Sequence, residues 1–105
     1  MKPILFLLKA DFVDALAGTV DAKYFCPDCA YVEGLLSYYP RLREELEINY
    51  VDFKRPRPAI IDLIGEANQS CPVLIIDAKT GLFIDDKVEI ARYLSEKHGI
   101  GLIHV

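Results

Sequence analysis

The chain has 105 residues, of which 52% are hydrophobic and 27% charged, and its formal net charge is −4. This length suits one domain with a single core, and an acidic balance with no long run of one sign argues against a nucleic-acid-binding surface. Three cysteines do not make the disulfide framework of a small secreted domain. The N-terminal apolar run is broken at Lys9, which leaves it too short for a signal-peptide core or a membrane span.

Apolar segments with strand character alternate along the chain with segments of helical periodicity. The first strand is predicted over residues 4–8, which are apolar enough to be buried on both faces of a sheet. A long mixed segment over 10–25 follows, with room for a short helix over 12–16. The later predicted elements are a helix over 26–39 stopped by Pro40, a charged turn over 41–47, a strand over 48–53, a helix over 59–67, strands over 73–76 and 82–84, and a helix from Asp86 to Gly99.

Cys26-Pro27-Asp28-Cys29 stands at the predicted start of the first long helix. If Cys26 is the N-cap, Pro27 takes the first helical position, where its missing N–H costs nothing. The next amide hydrogens and the helix dipole then favour the charged form of the Cys26 sulfur, although the carboxylate of Asp28 opposes this. Because a thiolate is the nucleophile in disulfide exchange, the motif favours a redox-active pair.

Zinc binding and inert thiols are the alternatives for Cys26 and Cys29. A structural zinc site needs four ligands and usually a second C-x-x-C, which the sequence lacks, so we expect no metal here. A permanent disulfide would close so short a loop that it would add little stability. We expect a cytoplasmic protein, and in that compartment such a pair is more often catalytic or metal-binding than structural.

The predicted order β-α-β-α-β-β-α, with the cysteine pair after the first strand and Ser70-Cys71-Pro72 directly before the third, resembles the thioredoxin-like fold. That fold is a four-stranded mixed α/β sheet with helices on both faces. The C-P-x-C form is similar to that of glutaredoxins, and the run 90–94, Ile-Ala-Arg-Tyr-Leu, is similar to a signature of glutathione transferase N-terminal domains. The whole chain also resembles a small bacterial family of thioredoxin-like domains of unknown function.

This resemblance implies a thiol–disulfide oxidoreductase in which Cys26 attacks a disulfide and Cys29 resolves the mixed disulfide. The partner would be a disulfide-containing protein or a small-molecule thiol, with glutathione as the candidate co-substrate and no other cofactor. It also implies that Pro27, Cys71 and Pro72 take part in substrate binding. The Cys71–Pro72 bond would be cis, would aim the backbone before it at the substrate, and would place Cys71 near Cys26. A third thiol there could form an alternative disulfide or help to hold a metal, but packing as a small apolar side chain is favoured.

Two further groups are candidates for substrate binding. Lys54, Arg55 and Arg57 form the basic cluster of an acidic chain, at the predicted end of the second strand. They could hold a carboxylate such as those of glutathione, or they could be a solvated loop. Asp86 matches the acid with which glutathione-binding relatives contact the γ-glutamyl group. Lys87 replaces their serine, however, and Asp86 is also explained as an N-cap.

A non-catalytic binding module for a peptide, a protein or a small acidic ligand is the alternative function. The apolar segment over 100–105 could supply a strand edge or a homodimer surface to such a module. Tyr24 and Phe25 could wall a substrate groove beside Cys26, although core positions are favoured for both. The accessibility and acidity of the Cys26 thiol would separate an enzyme from a binding module.

Overall fold

A computed structural model describes residues 1–18 and 21–104, and it has an α/β architecture. Position 105 of the predicted terminal segment and positions 19–20 of the predicted mixed segment lie outside these residues. The elements in chain order are β1 (Ile4–Leu8), α1 (Pro27–Tyr38), α2 (Leu42–Glu45), β2 (Glu47–Val51), α3 (Pro58–Ile64), β3 (Val73–Asp77), β4 (Leu82–Ile84) and α4 (Lys87–His98).

The four strands form one mixed sheet in the order β2-β1-β3-β4. β1 pairs in parallel with β2, with Leu5 opposite Ile48, and antiparallel with β3, with Leu5 opposite Leu74. β4 pairs antiparallel with β3. The two central strands have the most continuous apolar sequences of the four, as expected for strands that are covered on both faces.

Side chains alternate between two apolar cores, one on each face of the sheet. Leu5, Leu7 and Leu74 pack on one face against α1 and α4, which contribute Val32, Leu36, Ile90 and Leu94. On the other face, Phe6, Val73 and Ile75 pack against Ile60 of α3. The predicted four-stranded mixed sheet with helices on both faces is therefore confirmed, and the arrangement is compatible with a thioredoxin-like fold.

The positions at which the helices begin and end are set by their capping residues. The Asp86 carboxylate accepts a hydrogen bond from the Glu89 N–H at 2.9 Å, and α4 ends at Gly99, which has the left-handed conformation that glycine permits. The predicted start and end of this helix are confirmed. α3 stops at Ile64, three residues earlier than predicted, because Gly65 leaves helical geometry with φ of 85°.

The predicted short helix over 12–16 is wrong: these residues contain a bridge and a turn. The Phe12 N–H donates to the Tyr24 carbonyl at 3.1 Å, and the Tyr24 N–H donates back to Phe12 at 2.8 Å. The Phe12 ring also stacks on Phe53, with ring centroids 4.3 Å apart. Backbone pairing with Tyr24 and ring stacking on Phe53 therefore hold Phe12 extended, although the local sequence allowed a helix.

The segment after α4 is not a strand over 100–104, so the predicted strand edge is wrong there. Ile100 is buried in the core, whereas the Leu102 side chain is 86% exposed. The Ser95 hydroxyl donates to the Gly101 carbonyl at 2.7 Å and holds the segment against α4. Among the described residues, none of the helices is long and apolar enough to cross a membrane.

Candidate thiol site

Cys26 lies at the N-cap of α1, with φ of −81° and ψ of 115°, and Pro27 opens the helix. The Cys29 N–H donates to the Cys26 sulfur at 3.1 Å. This is the geometry predicted from the sequence: an extended cap residue whose side chain accepts a hydrogen bond from the third helical amide. Cys26 is half-buried, so part of this residue is open to solvent while its sulfur lies at the helix terminus.

Cys29 lies one helical turn further into the protein and is 5% exposed. Its sulfur accepts a hydrogen bond from the Leu8 N–H at 3.5 Å, at the end of β1. Burial raises the pKa of the Cys29 thiol well above its ordinary value, and the hydrogen bond with Cys26 raises it further. The pair therefore combines an accessible sulfur at Cys26 with a buried thiol that stays protonated.

Cys71 and Pro72 face the cysteine pair from the start of β3. The Cys71–Pro72 peptide bond is cis, as the resemblance implied, and the Cys26 thiol donates to the Cys71 carbonyl oxygen at 3.8 Å. Cys71 is half-buried and packs against both apolar cores, so it fills space as the packing interpretation predicted. Burial raises the pKa of the Cys71 thiol to about 11, an effect that the positive charge of Arg57 opposes.

All three cysteines are free. Within residues 1–18 and 21–104, no group of three or more histidine, cysteine or acidic side chains is arranged to hold a metal ion. The described geometry places the backbone of Cys29 and of Cys71 in contact with the Cys26 sulfur.

Arg57 is buried, with 6% of its surface exposed. It therefore fits neither of the two roles considered for the basic cluster, which were to hold a carboxylate of the substrate or to form a solvated loop. Its guanidinium donates to the carbonyl oxygens of Asp52 (3.2 Å), Phe53 and Gln69 (2.6 Å). Its own N–H donates to the Gln69 side chain at 2.9 Å. A solvated position is therefore wrong for Arg57, and its donors are occupied by the backbone of the link after β2 and the loop before β3. Burial lowers the pKa of Arg57.

Lys54 and Arg55 remain exposed. Both line two neighbouring open cavities of about 410 and 510 Å³. Within the part of the chain that the structure describes, neither forms an ion pair with a carboxylate. The charge of Arg55 also opposes the rise in the pKa of Cys71. Arg55 is therefore close enough to interact electrostatically with this thiol. Of the basic cluster, these two side chains are the ones available to an anionic ligand.

Asp86 caps α4 through its carboxylate, which accounts for this residue without a ligand. The neighbouring Lys87 has a role that the sequence did not reveal: its ammonium lies 3.2 Å from a carboxylate oxygen of Asp28 and 5.9 Å from the centre of the Tyr31 ring. The ion pair offsets the negative charge that was expected to oppose a thiolate at Cys26. No local signal pairs these positions, because the contact depends on how α4 packs against α1.

An open groove of about 360 Å³ runs beside the thiols and is lined by Leu8, Ala10, Phe25, Cys26 and Cys29, among others. Phe25 is 64% exposed, so the favoured core position is wrong for this residue and it forms a wall of the groove. Tyr24 is half-buried and packs against the ring of Phe12. A substrate reaching Cys26 through this groove would contact an aromatic surface.

The model of a family described as "Protein of unknown function (DUF3088)" matches residues 2–102. No curated protein and no solved structure matches the chain.

Proposed function

Because the chain belongs to the DUF3088 family of proteins of unknown function, we propose its activity from the site itself: thiol–disulfide exchange with Cys26 as the nucleophile and Cys29 as the resolving thiol. The observation that carries this proposal is the hydrogen bond from the Cys29 N–H to the Cys26 sulfur at a helix N-cap. Placement of C-P-x-C opposite a cis-proline supports the further proposal that the chain is a thioredoxin-like protein with a glutaredoxin-like motif.

The reaction begins when the Cys26 thiolate attacks one sulfur of a substrate disulfide. The substrate S–S bond breaks, a Cys26–substrate disulfide forms, and the leaving thiolate takes up a proton. Cys29 then loses its proton and attacks the Cys26 sulfur, which releases the second substrate thiol. Two protein thiols are oxidised to one disulfide while the substrate is reduced to two thiols. Two molecules of a small-molecule thiol such as glutathione then restore the protein dithiol and are themselves oxidised to one disulfide.

The environment of Cys29 suits the second step. Besides burial, its hydrogen bond to Cys26 and the negative charge on that neighbour both raise its pKa. Once Cys26 is part of a mixed disulfide, its sulfur carries no charge, so these two contributions fall. Cys29 therefore becomes easier to ionise at the stage at which it is needed. A reducing cytoplasm would return the pair to the dithiol form that this cycle requires.

The surroundings of Cys26 suit a substrate with apolar and acidic parts. The groove beside it has an aromatic wall at Phe25, and the backbone of Cys71 lies opposite, before the cis-proline. Lys54 and Arg55 are exposed and offer positive charge to a carboxylate, as a glutathione moiety or an acidic protein segment would present. We propose a disulfide-containing protein or a glutathione-type small molecule as the partner.

Reduction of a small disulfide with glutathione as the electron donor tests the proposal. We expect the wild type to accelerate the reaction and Cys26→Ser to abolish the acceleration. Lys97→Gln, at an exposed position near the C-terminal end of α4, is the control and should retain activity. A wild-type rate equal to that of Cys26→Ser would refute an oxidoreductase function.

A binding module is the second candidate, and an apolar cleft favours it. The cleft, of about 520 Å³, is lined by Tyr31, Tyr38 and Leu102, among others. The Tyr38 side chain is 81% exposed and that of Leu102 is 86% exposed, and exposed apolar side chains that adjoin one another are typical of a protein–protein contact surface. Sedimentation equilibrium of the wild type and of Leu102→Ser tests the homodimer form of this candidate. A dimer that the substitution dissociates would support it, and a monomeric wild type would count against it.

A further inference from the structure

The Cys26 sulfur lies between two cysteines that approach it from different elements. It accepts the Cys29 N–H at 3.1 Å within α1, and it donates to the carbonyl oxygen of Cys71 at 3.8 Å. The carbonyl and the side chain of Cys71 share one Cα atom, so this contact places the two residues next to each other across the site. A disulfide joins residues whose Cα atoms are about 4.4–6.8 Å apart, a separation that this contact allows.

Electrostatic coupling among the sulfurs agrees with this placement. After burial, the charges that raise the pKa of Cys71 include that of Cys26, and the charges that raise the pKa of Cys29 include those of both other cysteines. The thiols of Cys71 and Cys29 therefore each respond to the charge of a neighbouring cysteine. This is the behaviour of one cluster of three thiols, and the proposed function uses only two of them.

Cys71 is suited to attack because its thiol is the less strongly perturbed of the two that flank Cys26. Cys29 is 5% exposed and its pKa is raised further than that of Cys71, which rises to about 11. The positive charges of Arg57 and Arg55 oppose the rise at Cys71. Because the attack rate in thiol exchange depends on the thiolate fraction, Cys71 competes with Cys29 for the same sulfur.

Arg57 also fixes the loop that carries Cys71. Its guanidinium and its own N–H bind the carbonyl and the side chain of Gln69, two residues before Cys71. The same guanidinium binds the carbonyls of Asp52 and Phe53 after β2. These bonds tie the loop to the sheet, so the Cys71 thiol is held opposite Cys26.

We infer that Cys71 is a second resolving thiol that forms a disulfide with Cys26, so that the site exchanges disulfides among three sulfurs. The inference rests on the proposed function. After Cys26 has formed a mixed disulfide with a substrate thiol, the Cys71 thiolate attacks the Cys26 sulfur. The Cys26–substrate bond breaks, a Cys26–Cys71 bond forms, and the departing substrate thiolate takes up a proton. The substrate disulfide has then been reduced by the two electrons of Cys26 and Cys71.

Disulfide mapping of cysteine variants tests this step. Cys29→Ser, Cys71→Ser and the double variant carrying both substitutions are each reduced, freed of reductant and mixed with one equivalent of bis(2-hydroxyethyl) disulfide. Remaining thiols are counted after denaturation, and bonds are located by mass spectrometry of non-reduced peptides. Cys29→Ser should lose both of its thiols and yield one peptide pair that joins Cys26 to Cys71. The double variant, which has Cys26 alone, should stop with one hydroxyethylthio group on Cys26.

The inference is overturned if Cys29→Ser also stops at the mixed disulfide. Cys71→Ser separates this result from a failure of the proposed function. Closure between Cys26 and Cys29 in that variant keeps the oxidoreductase proposal while Cys71 is excluded. If a disulfide with Cys26 forms in Cys29→Ser but not in Cys71→Ser, Cys71 is the resolving thiol and Cys29 is not. If neither variant closes, both proposals fall.

Discussion

Replacing Arg57 by methionine should destabilise the protein more than any other change to its basic cluster. The substitution keeps much of the side-chain volume but removes three hydrogen bonds from a buried cation to the carbonyls of Asp52, Phe53 and Gln69. An acceptor left without a partner costs about 1–3 kcal/mol when it is buried. Because these three bonds are only partly buried, the gross loss should be roughly 3–6 kcal/mol. The charge itself is unfavourable in a buried position without a carboxylate, and its removal offsets part of that loss. We expect a net fall of about 3 kcal/mol in the free energy of unfolding.

Urea unfolding under reducing conditions measures this fall, with far-UV circular dichroism as the signal because the chain has no tryptophan. For a slope of about 1.5 kcal/mol per molar urea, the midpoint should drop by roughly 2 M. Arg55→Met is the matched control, since Arg55 is exposed two residues away, and its effect should stay within about 0.5 kcal/mol. A loss below about 1 kcal/mol for Arg57→Met would show that the buried bonds do not hold the loop as argued.

A second measurement separates a positioning role of Arg57 from a purely structural one. Arg57→Met is combined with Cys29→Ser and, separately, with Cys71→Ser, and the rate of disulfide closure is followed in folded protein. If Arg57 positions and helps to ionise Cys71, closure to Cys71 should slow while closure to Cys29 is unchanged. Equal slowing of both would leave Arg57 with a structural role alone.

Three other outcomes follow from the structure. Brief treatment with iodoacetamide at pH 7, read by peptide mass spectrometry, should label Cys71 slowly, because burial raises its pKa from the ordinary 9.0 to about 11 and so leaves roughly 100-fold less thiolate than an ordinary cysteine has; labelling of Cys71 as fast as that of a cysteine in the denatured protein would contradict its burial. Asp86→Ala should lower the free energy of unfolding by about 1 kcal/mol through loss of the cap and leave the rate of disulfide reduction unchanged, whereas a raised KM for glutathione would assign Asp86 to substrate binding. The pKa of Glu45 is lowered chiefly by its hydrogen bond with His98, so this pair stabilises the protein above the ordinary carboxylate value of 4.5 and the stabilisation is lost as pH falls below it. His98→Ala should make stability fall less steeply in that acidic range, and an unchanged slope in urea titrations there would rule the pair out as a contributor.

The parts of the molecule that follow local rules could be predicted from the sequence. The N-cap at Cys26 needs only a proline at the next position and an apolar helical period after it. The end of α4 needs only Gly99 and the basic residues before it. Strands β1 and β3 are recognisable because both are short apolar runs bounded by polar residues. Local patterns of this kind gave the correct order of strands and of the main helices, and with it the position of the thiols between β1 and α1.

The parts that depend on contacts between distant segments could not be predicted. A charged residue between two prolines is most often exposed, and the burial of Arg57 arises only when the loop before β3 supplies carbonyl acceptors. Phe12 is extended because its ring stacks on Phe53, a residue that follows α1 and α2 in the chain. The exposure of Phe25 likewise depends on the path of the segment that precedes α1. In each case tertiary packing decided between conformations that local propensity left nearly equal.

The Asp28–Lys87 ion pair has a consequence for how this family diverges. It joins the variable position of the C-P-x-C motif to the first residue of α4, so the two sites share one electrostatic environment although they are far apart in the chain. A neutral residue at the first position would leave an unbalanced cation beside the thiols, and a neutral residue at the second would leave an unbalanced anion. Substitutions at the two positions are therefore expected to co-vary among related sequences, and an aligned set of them would record the charge that the thiol site requires.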